Sequence, residues 1–165
     1  MYFRNEKNIG PDANRMSGFK HARGKYVTFL DDDDYYTDYK FFSKAVKIFE
    51  EHESDEIPIV MVYANAELVD THTGKAFLWN IGNPGRVNGI DYILEKGYLK
   101  PPSMFTVLFK TDILRKASPE NKMLLDTITH FEAALDGDGW LMSDIIKERR
   151  NTPCFSYGDI SRNVA

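Results

Sequence analysis

The sequence predicts an α/β protein with a layered architecture, in which helices pack on a central sheet. Short apolar segments rich in β-branched and aromatic residues alternate with longer segments whose apolar residues recur at helical spacing. The chain has 165 residues, of which 42% are hydrophobic. A domain of this length buries roughly two thirds of the surface of its unfolded chain. We therefore expect a single domain over residues 1–165, built around one core.

The first elements lead to a strand that ends in a run of acidic residues. Residues 2–3 could end a strand, and a helix is expected over residues 11–22, because Pro11 is well tolerated in the first helical turn. Residues 26–30, Tyr-Val-Thr-Phe-Leu, predict a buried strand. The aspartates at 31–34 follow directly, so they should lie at the carboxyl end of that strand, where open α/β sheets bind ligands.

The middle of the chain predicts a helix, a strand and a hairpin. Residues 39–52 place apolar side chains three and four positions apart, as in an amphipathic helix that faces a sheet. Residues 57–64 are the next expected strand. Residues 67–70 and 75–79 are expected to form the arms of a hairpin, because Thr-His-Thr-Gly between them supplies a turn. An irregular loop is expected over residues 80–88.

The last part of the chain predicts short elements and a final helix. A short helix is expected over residues 90–96, a strand over residues 103–109 and a second short helix over residues 111–116. The segment at 135–139 contains two glycines, which favour a loop. We expect a helix over residues 140–149 to follow that loop.

Composition argues against several classes of function. The net charge is −4, from 21 basic and 25 acidic side chains, so no broad cationic surface is expected to bind nucleic acid. The longest apolar runs are far shorter than the roughly 20 residues that cross a bilayer. The chain opens with polar residues rather than a secretory leader, and Cys154 is the only cysteine. These features favour a cytoplasmic protein without a transmembrane segment.

The run of four aspartates suits a divalent cation. Adjacent carboxylates repel one another, and a bound cation would offset that repulsion. Mg²⁺ or Mn²⁺ prefers oxygen ligands and commonly binds one or two carboxylates together with phosphate oxygens. Because alternate residues of an extended chain point to the same side, Asp31 and Asp33 can share a face, and Asp33 is the expected metal ligand. Taken alone, the run is equally compatible with a solvated acidic loop or a helix start.

The residues around this run form a signature with a definite order and spacing. From the amino end they are Asn8-Ile9-Gly10, then Ala22-Arg23-Gly24-Lys25-Tyr26-Val27, then Asp31-Asp32-Asp33-Asp34-Tyr35-Tyr36. This arrangement resembles the core signature of family 2 glycosyltransferases. In that family an Asn-x-Gly precedes a helix, an Ala-x-Gly-x-Tyr enters a strand, and an Asp-x-Asp or Asp-Asp holds the metal and the phosphates of the nucleotide sugar.

The resemblance implies a fold and an activity. The fold would be GT-A-like, with three layers and a mixed, mostly parallel central sheet. The activity would be inverting transfer of a sugar from a nucleoside diphosphate donor to a glycan or polysaccharide acceptor, with Mn²⁺ or Mg²⁺. Asp31, Asp32 and Asp33 would contact the donor phosphates, with Asp33 and Asp31 as metal ligands. Residues 57–150 would form the acceptor side.

The resemblance also implies that the domain is truncated at its amino end. Family members begin with two further strands that contact the nucleotide, and this chain resembles a domain that starts after them. A sheet without those strands exposes an edge, so we expect a homodimer or larger assembly that covers this edge. The truncation also keeps open a second function, a catalytically silent domain that acts in protein association. A third possible function, nucleotidyl transfer, would require a Gly-rich basic phosphate loop, and this sequence contains no such motif.

A catalytic base is expected late in the chain. Family members supply it from a Glu-Asp or Gly-Asp at the start of a helix, and Gly137-Asp138 resembles that element. Inverting transfer needs one carboxylate to take the proton of the acceptor hydroxyl, and Asp138 is the candidate. Asp136 and Glu132 are alternatives, and Asp138 could instead only cap the predicted helix.

Overall fold

The computed structural model describes residues 2–31, 35–70, 73–96, 104–117 and 126–150. Within them six strands form one sheet. The strands are β1 (Tyr26–Val27), β2 (Ile59–Asp70), β3 (Ala76–Trp79), β4 (Gly85–Val87), β5 (Val107–Lys110) and β6 (Asp138–Arg150). The α-helices are α1 (Pro11–His21), α2 (Phe41–Glu51), α3 (Gly89–Asp91), α4 (Thr111–Ala117) and α5 (Asp126–Ala134). A π-helical turn, Tyr92–Lys96, continues α3, and a 3-10 turn, Met104–Thr106, precedes β5.

The strands are arranged in the order β1-β5-β2-β6-β4, and β3 pairs with the far part of β2. Strand β5 is antiparallel to both β1 and β2, and β2 is parallel to β6. Strands β1, β2 and β6 therefore run in one direction. We call the edge of the sheet at their carboxyl ends the carboxyl edge, and the opposite one the amino edge.

The predicted α/β class and the mixed sheet are confirmed, with helices on both faces. The mostly parallel character is not, because four of the five described pairings are antiparallel and only β2 pairs with β6 in parallel. Strand β1 pairs with β5 alone among the described strands. Its other side is an open edge in this part of the chain.

The core lies on both faces of β2, whose side chains alternate between them. Met61 and Tyr63 pack with α1, α4 and α5 on one face, which we call the α1 face. Val62 and Ala64 pack against α2 on the other. A strand covered on both sides reads as a continuous apolar run, as residues 59–64 do. These two layers of helices hold the sheet between them.

The predicted positions of helices α1 and α2 are confirmed. Pro11 begins α1, where its missing N–H leaves no helical hydrogen bond unmade. Phe41, Ala45 and Phe49, four residues apart, form the buried stripe of α2. None of the described helices has the length and apolar character needed to cross a bilayer.

Several strands and loops have other boundaries in the structure than the sequence predicts. The strand expected at 26–30 is paired only over Tyr26–Val27, and residues 2–3 form no strand. The strand expected at 57–64 extends as Ile59–Asp70, because its far half pairs with β3 in the predicted hairpin. The expected loop at 80–88 contains β4. The short helices after residues 89 and 110 are confirmed, and the paired strand before the second is Val107–Lys110.

The prediction of a helix over residues 140–149 is wrong. This segment belongs to β6, which pairs along almost the whole of β2 from Ile59 to Asp70. Leu141 faces the α1 side, while Met142 and Ile146 face α2, so both sides of the strand are buried. The helix in this part of the chain is α5, which the sequence patterns did not reveal.

Candidate active site

The carboxyl edge holds an ion pair between Asp31 and Arg15. Asp31 follows β1, and Arg15 lies on α1, which packs on the sheet through Met16 and Phe19. Arg15 Nη2 donates to both carboxylate oxygens of Asp31 at 3.1 Å. The Arg15 side chain is only 18% exposed and the Asp31 side chain is 55% exposed. The carboxylate is therefore the more accessible partner of the pair.

A cleft of about 610 Å³ lies between α1 and the segment that leads from β1 to Asp31. Residues 27–31 form one wall and α1 forms the other. A second cleft, of about 540 Å³, lies along the chain before α1 and shares Pro11 and Asn14 with the first. Each volume falls in the range of roughly 300–1,000 Å³ that is common for small-molecule sites. The Arg15–Asp31 pair thus borders a cleft large enough for a nucleotide.

Tyr36 anchors the chain just after the aspartate run. Its hydroxyl donates to the carbonyl oxygen of Phe105 at 2.7 Å and lies 3.3 Å from Thr28 Oγ1. Its ring stacks on Phe41, with 5.5 Å between ring centroids. This contact joins the segment after residue 34 to β1 and to the turn that leads into β5.

The last three aspartates of the run, Asp32, Asp33 and Asp34, lie outside the described residues. Among the described side chains, no three His, Cys, Asp or Glu residues come together as a metal site. Asp31 offers an accessible carboxylate at the carboxyl edge, where the sequence predicts the metal. The assignment of Asp33 and Asp31 as metal ligands stays a prediction.

Asp138 lies at the opposite edge. It begins a strand rather than a helix, and it is only 5% exposed. Its Oδ2 accepts a hydrogen bond from Arg86 Nε at 2.7 Å, and its Oδ1 accepts one from the Gly89 N–H at 3.0 Å. The structure therefore does not bring Asp138 together with Asp31.

Arg86 connects Asp138 to a wider polar network at the amino edge. It also donates to Asp55 Oδ2 at 2.6 Å and to the carbonyl oxygen of Ile57. His52 Nδ1 lies 2.9 Å from the same Asp55 oxygen. The pKa of Arg86 is raised, most by its hydrogen bond to Asp138 and next by its hydrogen bond to Asp55. The pKa of the Asp55 carboxyl is lowered, most by the hydrogen bond from Arg86 and next by that from His52.

The two alternative candidates for the base lie on or near α5. Glu132 lies within α5 and is half-buried. Asp136 follows the helix, and its carboxylate accepts a hydrogen bond from Lys116. Asp136 also precedes β6 at the amino edge, so it shares the position of Asp138 on the far side of the sheet from Asp31.

Among the described helices, α5 begins at an acidic residue, Asp126. It ends at Ala134 beside the amino edge, and His130 and Ala133 pack on the α1 face of the sheet. A nine-residue helix is about 13 Å long, so its first residue lies toward the carboxyl edge. Sequence reasoning missed Asp126, although an acidic residue before a helical stretch was the available signal.

Asn65 holds the segment that crosses from β3 to β4. Asn65 lies on β2 and is buried, and its Oδ1 accepts a hydrogen bond from the Ile81 N–H at 2.8 Å. Ile81 packs into the core of the α1 face. The crossing segment therefore covers that face near the carboxyl edge, beside the Asp31 side of the sheet.

Comparison with known proteins adds to this geometry. The solved structure titled S. aureus TarS 1-349 aligns with a TM-score of 0.60 and 20% identity, covering 88% of this chain and 41% of that one. Its fold is therefore shared. Two uncharacterised proteins, Mb1547 of Mycobacterium bovis and Rv1520 of Mycobacterium tuberculosis, are each 25% identical over 136 residues, or 81% of this chain.

The chain spans 36% of the length of those curated relatives. The family described as "Glycosyl transferase family 2" matches residues 1–115, which include α1, the aspartate run, β2 and the β2–β3 hairpin. The match covers well over half of the chain and contains the cleft and the Arg15–Asp31 pair. The chain belongs to glycosyl transferase family 2.

Proposed function

We propose that this chain transfers a glycosyl group, with inversion, from a nucleoside diphosphate sugar to a hydroxyl of a glycan or polysaccharide acceptor. The observation that carries the proposal is the accessible carboxylate of Asp31 at the mouth of the cleft beside α1. This carboxylate starts the acidic signature at the edge of the sheet where α/β proteins commonly bind ligands.

The donor would occupy the cleft between α1 and residues 27–31. The aspartates would bind Mn²⁺ or Mg²⁺, with Asp33 and Asp31 as ligands and Asp32 close to the phosphates. The donor set fits such a cation, because carboxylate oxygens are the ligands that hard divalent ions prefer. When bound, the cation supplies positive charge that stabilises the departing diphosphate.

The acceptor hydroxyl would attack the anomeric carbon from the face opposite the diphosphate. A new bond forms between the acceptor oxygen and that carbon, the bond from the carbon to the phosphate oxygen breaks, and a carboxylate takes the hydroxyl proton. We assign the base to Asp126 rather than Asp138. Asp126 begins α5 at the end that lies away from the amino edge, whereas both Asp138 oxygens already accept hydrogen bonds at that edge.

Calorimetric titration of the 165-residue chain with UDP and GDP tests donor binding. We expect one of the two nucleotides to bind in the presence of Mn²⁺ and to bind much more weakly without it. Asp33→Ala should remove the metal-dependent part of the binding. Asp112→Ala is the matched control, because Asp112 is an exposed carboxylate at the start of α4, at the amino edge.

Two results would count against this function. One is binding of neither nucleotide with Mn²⁺, which would favour the catalytically silent domain. The other is equal loss of binding in Asp33→Ala and Asp112→Ala, which would show that the effect does not come from the aspartate run.

A further inference from the structure

We propose that Arg15 is a positioning residue, which fixes the orientation of the Asp31 carboxylate so that Asp31 can contact the nucleotide in the cleft. This inference rests on the proposed donor site and assigns separate roles to Arg15 and Asp31 within it. The alternative is that the Arg15 cation itself binds the phosphates of the nucleotide.

The geometry of the pair favours positioning. A single nitrogen of Arg15, Nη2, donates to both oxygens of Asp31 at equal distances of 3.1 Å. A cation placed symmetrically between two oxygens restrains rotation of the carboxylate. The outward lone pairs of each oxygen stay available to a second donor or to a cation.

The difference in exposure points the same way. The Arg15 side chain is 18% exposed, against 55% for Asp31, so the cation is largely covered although it borders the cleft, and the carboxylate faces solvent. Arg15 is carried on α1, which is anchored to the core through Met16 and Phe19. Asp31 lies on an irregular segment after β1. The rigid element thus supplies the support and the irregular segment supplies the ligand-facing group.

A double-mutant cycle separates positioning from direct phosphate binding. The probe is UDP or GDP, whichever binds the unmodified chain with Mn²⁺, and the readout is its dissociation constant from calorimetry. Arg15→Gln should weaken binding about 5- to 10-fold, the loss typical of one hydrogen bond. Asp31→Asn should weaken it at least as much. Adding Arg15→Gln to Asp31→Asn should then change the affinity less than about twofold, because the group that Arg15 orients is already gone.

The matched control is Arg23→Gln, since Arg23 is an exposed cation between α1 and β1 that does not border the cleft. Its affinity should equal that of the unmodified chain. The thermal unfolding midpoint of each variant should stay within a few degrees of the original, because the pair lies at the protein surface, where Asp31 is 55% exposed, and such pairs contribute little to stability.

Losses that add in the double variant would overturn the inference, since they would mean that Arg15 contacts the nucleotide independently of Asp31. Unchanged affinity in Arg15→Gln would overturn it as well. Failure of the proposed function has a different signature, because neither nucleotide would then bind the unmodified chain.

Discussion

Asp31 and Asp138 lie at opposite ends of one sheet. Asp31 follows β1 at the carboxyl edge, whereas Asp138 begins β6 at the amino edge, opposite Ile59, the first residue of β2. The two carboxylates also differ in their surroundings, because Asp31 is open to the cleft and Asp138 is enclosed by Arg86 and Gly89. We therefore expect the two carboxylates to have separate roles.

Asp138→Asn should destabilise the fold. The substitution removes the charge that faces Arg86 and weakens two buried hydrogen bonds, which we expect to cost about 1 to 3 kcal/mol in the free energy of unfolding. Urea unfolding measures this loss. The release of nucleoside diphosphate from UDP- or GDP-sugars, per folded molecule, should be unchanged. A variant that is as stable as the original and inactive would restore Asp138 as the base.

Asp126→Asn should have the opposite pattern. Loss of a general base commonly lowers turnover by about 10² to 10⁴, and one substitution at the start of a helix costs little stability when the new residue is also a good cap. We expect little change in urea unfolding and in nucleotide binding, with turnover lost. Retained turnover in Asp126→Asn would remove this residue from the mechanism.

Gly89→Ala should be strongly destabilising. A methyl group on Gly89 would collide with the carbonyl oxygens of Ala134, at the end of α5, and Gly137, just before β6, so the backbone would have to shift. We expect a loss of about 2 to 3 kcal/mol in the free energy of unfolding. Gly18→Ala is the matched control, because nothing lies within 4 Å of the added carbon. It lies inside α1 and should raise stability by about 0.5 to 1 kcal/mol. Equal effects in the two variants would contradict this packing.

Tyr36→Phe isolates the hydroxyl that anchors the segment after the aspartate run. The ring contacts with Phe41 and Phe105 persist, while the hydrogen bond to the Phe105 carbonyl is lost. We expect the free energy of unfolding to fall by about 0.5 to 1.5 kcal/mol in urea titrations. Tyr39→Phe removes a hydroxyl from a tyrosine that is 86% exposed and should change nothing measurable. If both variants have the same free energy of unfolding as the original chain, the Tyr36 hydroxyl does not stabilise the fold.

Acid should weaken the network around Arg86. The pKa of Asp55 is lowered in the folded chain, so its contribution to stability is complete above the ordinary carboxyl pKa of about 3.9 and is lost as the pH falls through the lower folded value. Unfolding should be followed by urea titration from pH 7 to pH 2.5. The difference between the original chain and Asp55→Asn should shrink below about pH 4. A difference that stays constant with pH would show that Asp55 is not charged in this network.

The parts of the fold that the sequence predicts well are those fixed by local chemistry. Pro11 begins α1 as expected, the stripe of Phe41, Ala45 and Phe49 defines α2, and the turn before Lys75 closes the hairpin. Each signal needs only neighbouring residues. The position of Asp31 at the carboxyl edge also follows locally, because its segment leads directly out of β1.

The failures involve partners that are distant in sequence. Residues 140–149 have an apolar pattern that suits either a helix or a two-sided strand, and only the long uncovered edge of β2 decides the outcome. Asp138 was assigned to a helix start for the same reason. Arg86, the partner that explains its burial, lies on a strand that the sequence showed as loop. No local signal links these positions.

The parallel pairing of β2 with β6 has a consequence for how the chain acquires its structure. Residues 71–137 separate the two strands, so the central rungs of the sheet can close only after that long intervening segment has been brought together. Closing such a distant contact costs chain entropy before any burial repays it, which slows the search for the native topology. During synthesis, one edge of β2 stays unpaired until β6 has emerged from the ribosome.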